Sequence, residues 1–208
     1  MSFFDNNKTI GLVLIIIGLI ILVAGIGLAV AGWNDDSVNN TAAACYGIAK
    51  IIFGLLIFVW GFAVRGGPND QAKVLSGTIR IVGIATILQA FFLALGSYFA
   101  DSSSITAGAW TAIVGMIVAI IFGLFLIWVA GKVGGANKNI ISKGLWIVLI
   151  IAFLYLAVTS FLTLYRLDFD FGSLNGIMTI VAAICLFILY LYFLVAMFSK
   201  DVKSAMGI

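Results

Sequence analysis

Six stretches of this chain stay apolar for about twenty residues or more, and its polar residues gather in the gaps between them. The stretches run over Thr9–Gly32, Ala43–Val64, Ile79–Ala100, Thr106–Gly131, Gly144–Tyr165 and Leu174–Ser199. An α-helix needs about twenty apolar residues to cross the roughly 30 Å of hydrocarbon in a bilayer. The pattern therefore predicts an all-α membrane protein with six transmembrane helices. The first stretch exceeds the length of a signal-peptide core and reads as the first span. No gap is long enough for a second domain, so residues 1–208 form a single transmembrane domain.

The gaps set the orientation. Lys8, Arg65, Lys73, Arg80, Lys132, Lys138, Lys143, Lys200 and Lys203 fall at the two ends and in every second gap. The alternate gaps hold Arg166 together with Asp35, Asp36, Asp101, Asp168 and Asp170. Short loops rich in Lys and Arg stay on the cytoplasmic side. Both termini are expected in the cytoplasm and the protein in the plasma membrane. Three antiparallel hairpins follow, N-in and C-in, with units of about 1–66, 67–135 and 136–208. Asn39 opens an N-x-[ST] sequon on the outer side, an acceptor for glycosylation in a host that has the machinery.

The second and fourth spans share a short repeat. Ile51-Ile52-Phe53-Gly54-Leu55 matches Ile120-Ile121-Phe122-Gly123-Leu124, and each run leads to a Trp and then to a basic residue with a glycine pair. This suggests duplication of a hairpin in parallel orientation. The single proline, Pro68, lies in the link between hairpins. No span contains one, so broken helices of the transporter kind are not signalled.

Glycines recur every seven residues in the first two spans: Gly11, Gly18, Gly25 and Gly32, then Gly47, Gly54 and Gly61. Seven residues are nearly two turns, so each series lines one helix face with a drift of about 20° per step. Lipid-embedded helices associate through such close backbone approach. These two helices are expected to pack as a tight antiparallel pair. Gly108 and Gly115 repeat the spacing in the fourth span.

One residue is costly. Lys50 lies inside the second span, where a lysine costs on the order of 3 kcal/mol. It stands three residues after Gly47 and four before Gly54, which turns it towards protein. No acid lies within a span. Its candidate partners are Asp35, Asp36 or Asp101, reached by snorkelling, or the neutral Gln89 and Tyr155. Lys50, Gln89 and Tyr155 form the candidate binding set. Thr159, Ser160 and Thr163 read as helix–helix contacts or as hydroxyls bonded to their own helix.

Composition narrows the chemistry. The chain is 64% apolar and 9% charged, against about 25% charged in soluble domains. It has no histidine, and its eight acids are all aspartates. An imidazole base is excluded, general acid–base catalysis lacks its usual groups, and no metal site or cofactor is expected. Cys45 and Cys185 lie at different depths and are expected to stay unpaired. The basic balance reflects orientation, and nucleic acid is not an expected partner.

The opening Gly11-Leu12-Val13-Leu14-Ile15-Ile16-Ile17-Gly18, the three short hairpins and the length resemble the HdeD-like short-repeat membrane proteins. The resemblance implies a six-spanning protein linked to acid-stress tolerance. Members of that family often carry proline in the outer loops, and this chain has none there. The expected function is that of a non-enzymatic membrane protein, a structural or accessory subunit or an oligomeric scaffold. Its partners are then lipid, further copies or other membrane subunits. The alternative is a small channel or transporter for an anion or small solute built on Lys50.

Overall fold

The computed structural model describes residues 6–33, 40–100, 107–134, 140–166 and 171–208. Asp35, Asp36, Asn39, Asp101 and Lys138, and with them the sequon, lie outside the described residues. The protein is all-helical: α1 (Asn7–Trp33), α2 (Asn40–Gly66), α3 (Gln71–Ala100), α4 (Ala107–Val133), α5 (Ile140–Arg166), α6 (Leu174–Ala196) and α7 (Lys200–Met206). Among the described residues there is no strand, and six helices are long and apolar enough to cross a membrane.

Three helix starts follow from local chemistry. Asn6 accepts from the Lys8 amide at 2.9 Å through its side chain and opens α1. Asp70 accepts from the Lys73 amide at 3.1 Å and opens α3. Ser173 accepts from the Gly176 amide at 3.0 Å and opens α6. These are N-cap bonds, in which a short polar side chain satisfies an amide that has no helical partner. The Asp70 cap begins α3 two turns before the apolar stretch at Ile79. Its 30 residues make a rod of about 45 Å, enough to reach through the headgroup layers as well as the hydrocarbon.

The apolar stretch read as Leu174–Ser199 does not form one helix. α6 ends at Ala196, and Ser199 caps a separate short helix, α7, by accepting from the Val202 amide. Gly207, at φ 74°, closes α7 in the left-handed conformation. Its amide bonds back to Ser204, and the Ile208 amide bonds to the Lys203 carbonyl at 2.9 Å. This is the glycine-terminated helix end that L side chains with a Cβ adopt at a cost. α7 turns Val202 and Met206, one turn apart, fully inward.

The helices pack in the spatial order α4–α3–α2–α1–α6–α5, and the row curls enough for α3 to touch α6. α7 lies across one end and touches α3, α4 and α5. That end, here the basal end, also holds the start of α1 and the link from α2 to α3. The apolar core thickens towards it: Leu75 and Ile79 of α3, Val129 of α4, Leu149 of α5, Leu189 of α6 and Met197 just after it are all inaccessible. At the other end α4 has little to lean on. Ile113, Val114, Ile117, Val118 and Ile121 are all exposed.

Candidate functional site

The seam between α1 and α2 shows what the glycines do. A Cβ built on Gly18 would stand 2.4 Å from the Phe58 amide nitrogen and 2.9 Å from the Gly54 carbonyl oxygen. One on Gly54 would meet the Leu22 nitrogen at 2.4 Å and the Gly18 oxygen at 2.8 Å. Gly25 and Gly47 face each other in the same way, as do Gly11 and Gly61. Each seven-residue step up α1 is matched by a step of seven down α2, so the two helices run antiparallel with backbone on backbone. Gly32 is also buried on α1.

A second close approach was not singled out from the sequence. A Cβ on Gly83 of α3 or on Gly123 of α4 would lie 2.7 Å from the carbonyl oxygen of the other. Gly54 and Gly123 hold corresponding places in the short repeat, and each faces a glycine of the preceding helix. The repeat was the signal that could have found this contact.

Lys50 is only 2% exposed. Its backbone packs against Gly25, with the Lys50 carbonyl carbon 2.9 Å from the place of a Gly25 Cβ. Its ammonium lies 4.9 Å from the centre of the Tyr46 ring, one turn earlier on the same helix. An aromatic face attracts a cation, and more strongly when water is excluded. Among the described residues Lys50 has no ion pair. Gln89 is half-buried on α3, and Tyr155 is 67% exposed, on the outward side of α5. Of the candidate binding set, Lys50 is thus enclosed, Gln89 partly so, and Tyr155 open to its surroundings. Tyr155 departs from an inward path because α5 is apolar around its circumference, and such a helix carries no stripe that fixes its rotation.

Two cavities bear on chemistry. One of about 230 Å³ lies between α5 and α6 and is lined in part by Thr159, Ser160 and Tyr190. Thr159 donates its hydroxyl proton to its own helix, at 2.9 Å to the Tyr155 carbonyl and 3.0 Å to that of Leu156. The Thr163 side chain lies outside the described residues. The other is a groove of about 450 Å³ between α1 and α6, lined by Ile10, Val13, Leu14 and Val195 among others. The Tyr192 hydroxyl beside it is buried without a hydrogen-bond partner among the described residues. Neither cavity includes Lys50.

The most connected polar group lies at the basal end, and the sequence did not point to it. The Gln71 side-chain amide donates to Asn7 Oδ1 at 2.9 Å, while the Gln71 backbone amide donates to Asp201 Oδ2 at 3.1 Å. The Asn7 amide donates to Asn69 Oδ1 at 3.1 Å, and its side chain donates to the Pro68 carbonyl. Asn7 and Gln71 are both buried. Buried amides persist only where their donors and acceptors are met. This knot ties the start of α1, the α2–α3 link, the start of α3 and α7 together. Trp146 of α5 adds a bond from its indole nitrogen to the Met197 carbonyl at 2.9 Å.

Cys45 and Cys185 are both free thiols. Among the described residues no cluster of His, Cys, Asp or Glu could hold a metal ion. No protein-family model, curated protein or solved structure matches this chain.

Proposed function

We propose that this chain is a non-enzymatic integral membrane protein that serves as an oligomeric scaffold or as the accessory subunit of a membrane assembly. In this reading it forms three antiparallel hairpins in the plasma membrane with the basal end in the cytoplasm. The Lys and Arg bias of the sequence supports that orientation.

The observation that carries the reading is the state of α4 far from the basal end. From Ile113 to Phe122 no residue of α4 is buried. On this half of the helix Gly108, Ala112, Gly115 and Ala119 follow each other at spacings of four, three and four, which places them on one face. A Cβ added to Gly115 would have nothing within 4 Å. Small residues cost a lipid-facing helix packing and gain it only where another helix comes close. A second copy or a partner subunit supplies that helix. The absence of histidine and glutamate from the sequence supports a role without acid–base chemistry. The resemblance to HdeD-like proteins belongs to the same proposal and rests on the three short hairpins, the length and the Gly11–Gly18 opening.

Native mass spectrometry from mild detergent tests this. A dimer or larger species, or a co-purified membrane subunit, is expected for the wild type, and Gly115→Leu should shift it to monomer while leaving the melting temperature unchanged. A wild type that is monomeric and unaccompanied at every detergent concentration would defeat the reading.

A buried lysine with no acid paired to it among the described residues keeps a second reading in view, a small channel or transporter for an anion. A lone buried charge destabilises unless it is paired. Lys50→Met should fold and gain stability under the scaffold reading, with unchanged ion flux in liposomes. Loss of an anion flux in a variant that still folds would favour transport instead.

A further inference from the structure

A third cavity, of about 300 Å³, opens between α2, α3 and α4 near the basal end. Its walls include Lys73, Ser76 and Arg80 of α3, Trp60 of α2 and Gly131 of α4. Lys73 and Arg80 are seven residues apart, with Ser76 between them, so the three share one face of α3. We propose that this cleft is a binding site for a phosphate-bearing anion, with the headgroup of an anionic phospholipid as its occupant.

The walls are fixed on three sides. The Trp60 ring covers Gly77 so closely that a Cβ there would lie 2.1 Å from the ring. Its indole nitrogen donates to Thr78 Oγ1 at 3.0 Å. Ser76 donates to the Ala130 carbonyl at 2.6 Å, which holds α3 against α4. The Ser76 oxygen keeps acceptor capacity only, so the donors for an anion come from the two cations. Gly131 has nothing near its bare Cα face and leaves the mouth open.

The charges are available. Arg80 is exposed, and its guanidinium has no ion pair or hydrogen bond among the described residues. Lys73 lies 3.3 Å from Asp70 in a solvent-facing pair, the kind that contributes little, and its ammonium has two more protons to give. A guanidinium matches two phosphate oxygens at once, and a lysine adds a compact positive charge beside it.

The depth suits a lipid. α3 extends about two turns beyond its apolar stretch, and Arg80 stands nine residues from its start at Gln71, about 13 Å along the axis. Trp60 stands at the same level through its bond to Thr78, and Trp side chains settle at the headgroup boundary. Basic pockets between transmembrane helices at this level take anionic headgroups. A free phosphate has the same chemistry, but it must come from water, whereas the lipid is already present at that depth.

The test uses the full chain in nanodiscs of equal phosphatidylglycerol and phosphatidylcholine, released into native mass spectrometry. The wild type should retain phosphatidylglycerol in preference. Arg80→Gln and Lys73→Gln should each cut that preference about fivefold, since one interfacial cation counts for roughly that factor. Lys143→Gln, an exposed cation of α5 outside the cleft, should leave it unchanged. Millimolar inorganic phosphate should displace little lipid. If phosphate displaces the lipid from the wild type and binds it, but not Arg80→Gln, the site stands with free phosphate as its occupant. Equal losses with Lys143→Gln, or none with Lys73→Gln, would overturn the site, because diffuse surface charge would then explain retention. Should Arg80→Gln fail to fold, Arg80→Lys keeps the charge without the fork and should show an intermediate preference. An unchanged preference in that variant together with an unchanged Lys73→Gln would again overturn it. The outcome is independent of whether the chain forms oligomers.

Discussion

Gly54→Ala should lower the stability of the protein in detergent by about 3 kcal/mol or more, at the upper end of what overpacking costs. Gly54→Leu should leave little folded protein. The added carbon would lie 2.4 Å from the backbone nitrogen of Leu22, and a backbone atom cannot rotate away as a side chain does. α1 and α2 would have to separate along the seam, losing the contacts at Gly11–Gly61 and Gly25–Gly47 as well. Gly18→Ala should behave alike and add little to Gly54→Ala, because once the helices part the second carbon has room; the pair is coupled. Gly66→Ala and Gly144→Ala, where a Cβ meets nothing within 4 Å, are the controls and should be neutral to slightly stabilising, since alanine favours the helix. Thermal or denaturant unfolding in one detergent checks the series. A fully stable Gly54→Ala would show that the helices do not approach this closely.

The second large effect is expected at the other end of the chain. Removing residues 199–208 takes away Val202 and Met206, both without accessible surface, together with the Asp201 carboxylate that receives the Gln71 amide. Burying one such aliphatic side chain contributes about 1.5–3 kcal/mol, so a loss of about 3 kcal/mol or more is expected. Part of what α7 covers is core shared by α3, α4 and α5, so limited proteolysis should then cut at the 134–140 link before any other. Asp201→Asn, which keeps an acceptor for the Gln71 amide, should lose much less. A truncated protein as stable as the full chain would show that α7 is an ornament of the basal end.

These two predictions differ in how far the sequence exposed them. The seam between α1 and α2 was legible because its signal is local and periodic: a glycine every seven residues on both helices, which can mean little else in an apolar segment. The six spans were legible for the same reason, since backbone groups in lipid must pair within their own helix. The basal knot was not. Asn7 and Gln71 are 64 residues apart and Gln71 and Asp201 are 130 apart, and ordinary surface amides carry no mark of their partners. α7 left a clearer trace, with Ser199 and Gly207 as caps and Val202 and Met206 one turn apart. It was hidden because the apolar run of α6 continues through Met197 and Phe198 without a break in composition. Lys50 was conspicuous by cost alone, while the rotation of α5, and so the place of Tyr155, had no polar stripe to reveal it.

The glycine seam also sets how the protein answers a change of bilayer. A membrane thinner or thicker than the spans is normally met by tilting them, at fractions of a kcal/mol per ångström of mismatch. α1 and α2 cannot tilt against each other, because the bare Cα faces of their glycines already leave no room for a Cβ against the facing backbone at three levels. They must lean as one rigid plank. The adjustment then falls to α4 at the edge of the row, whose residues from Ile113 to Phe122 are all unburied while α7 touches its other end, so membrane thickness is converted into the splay of that one helix.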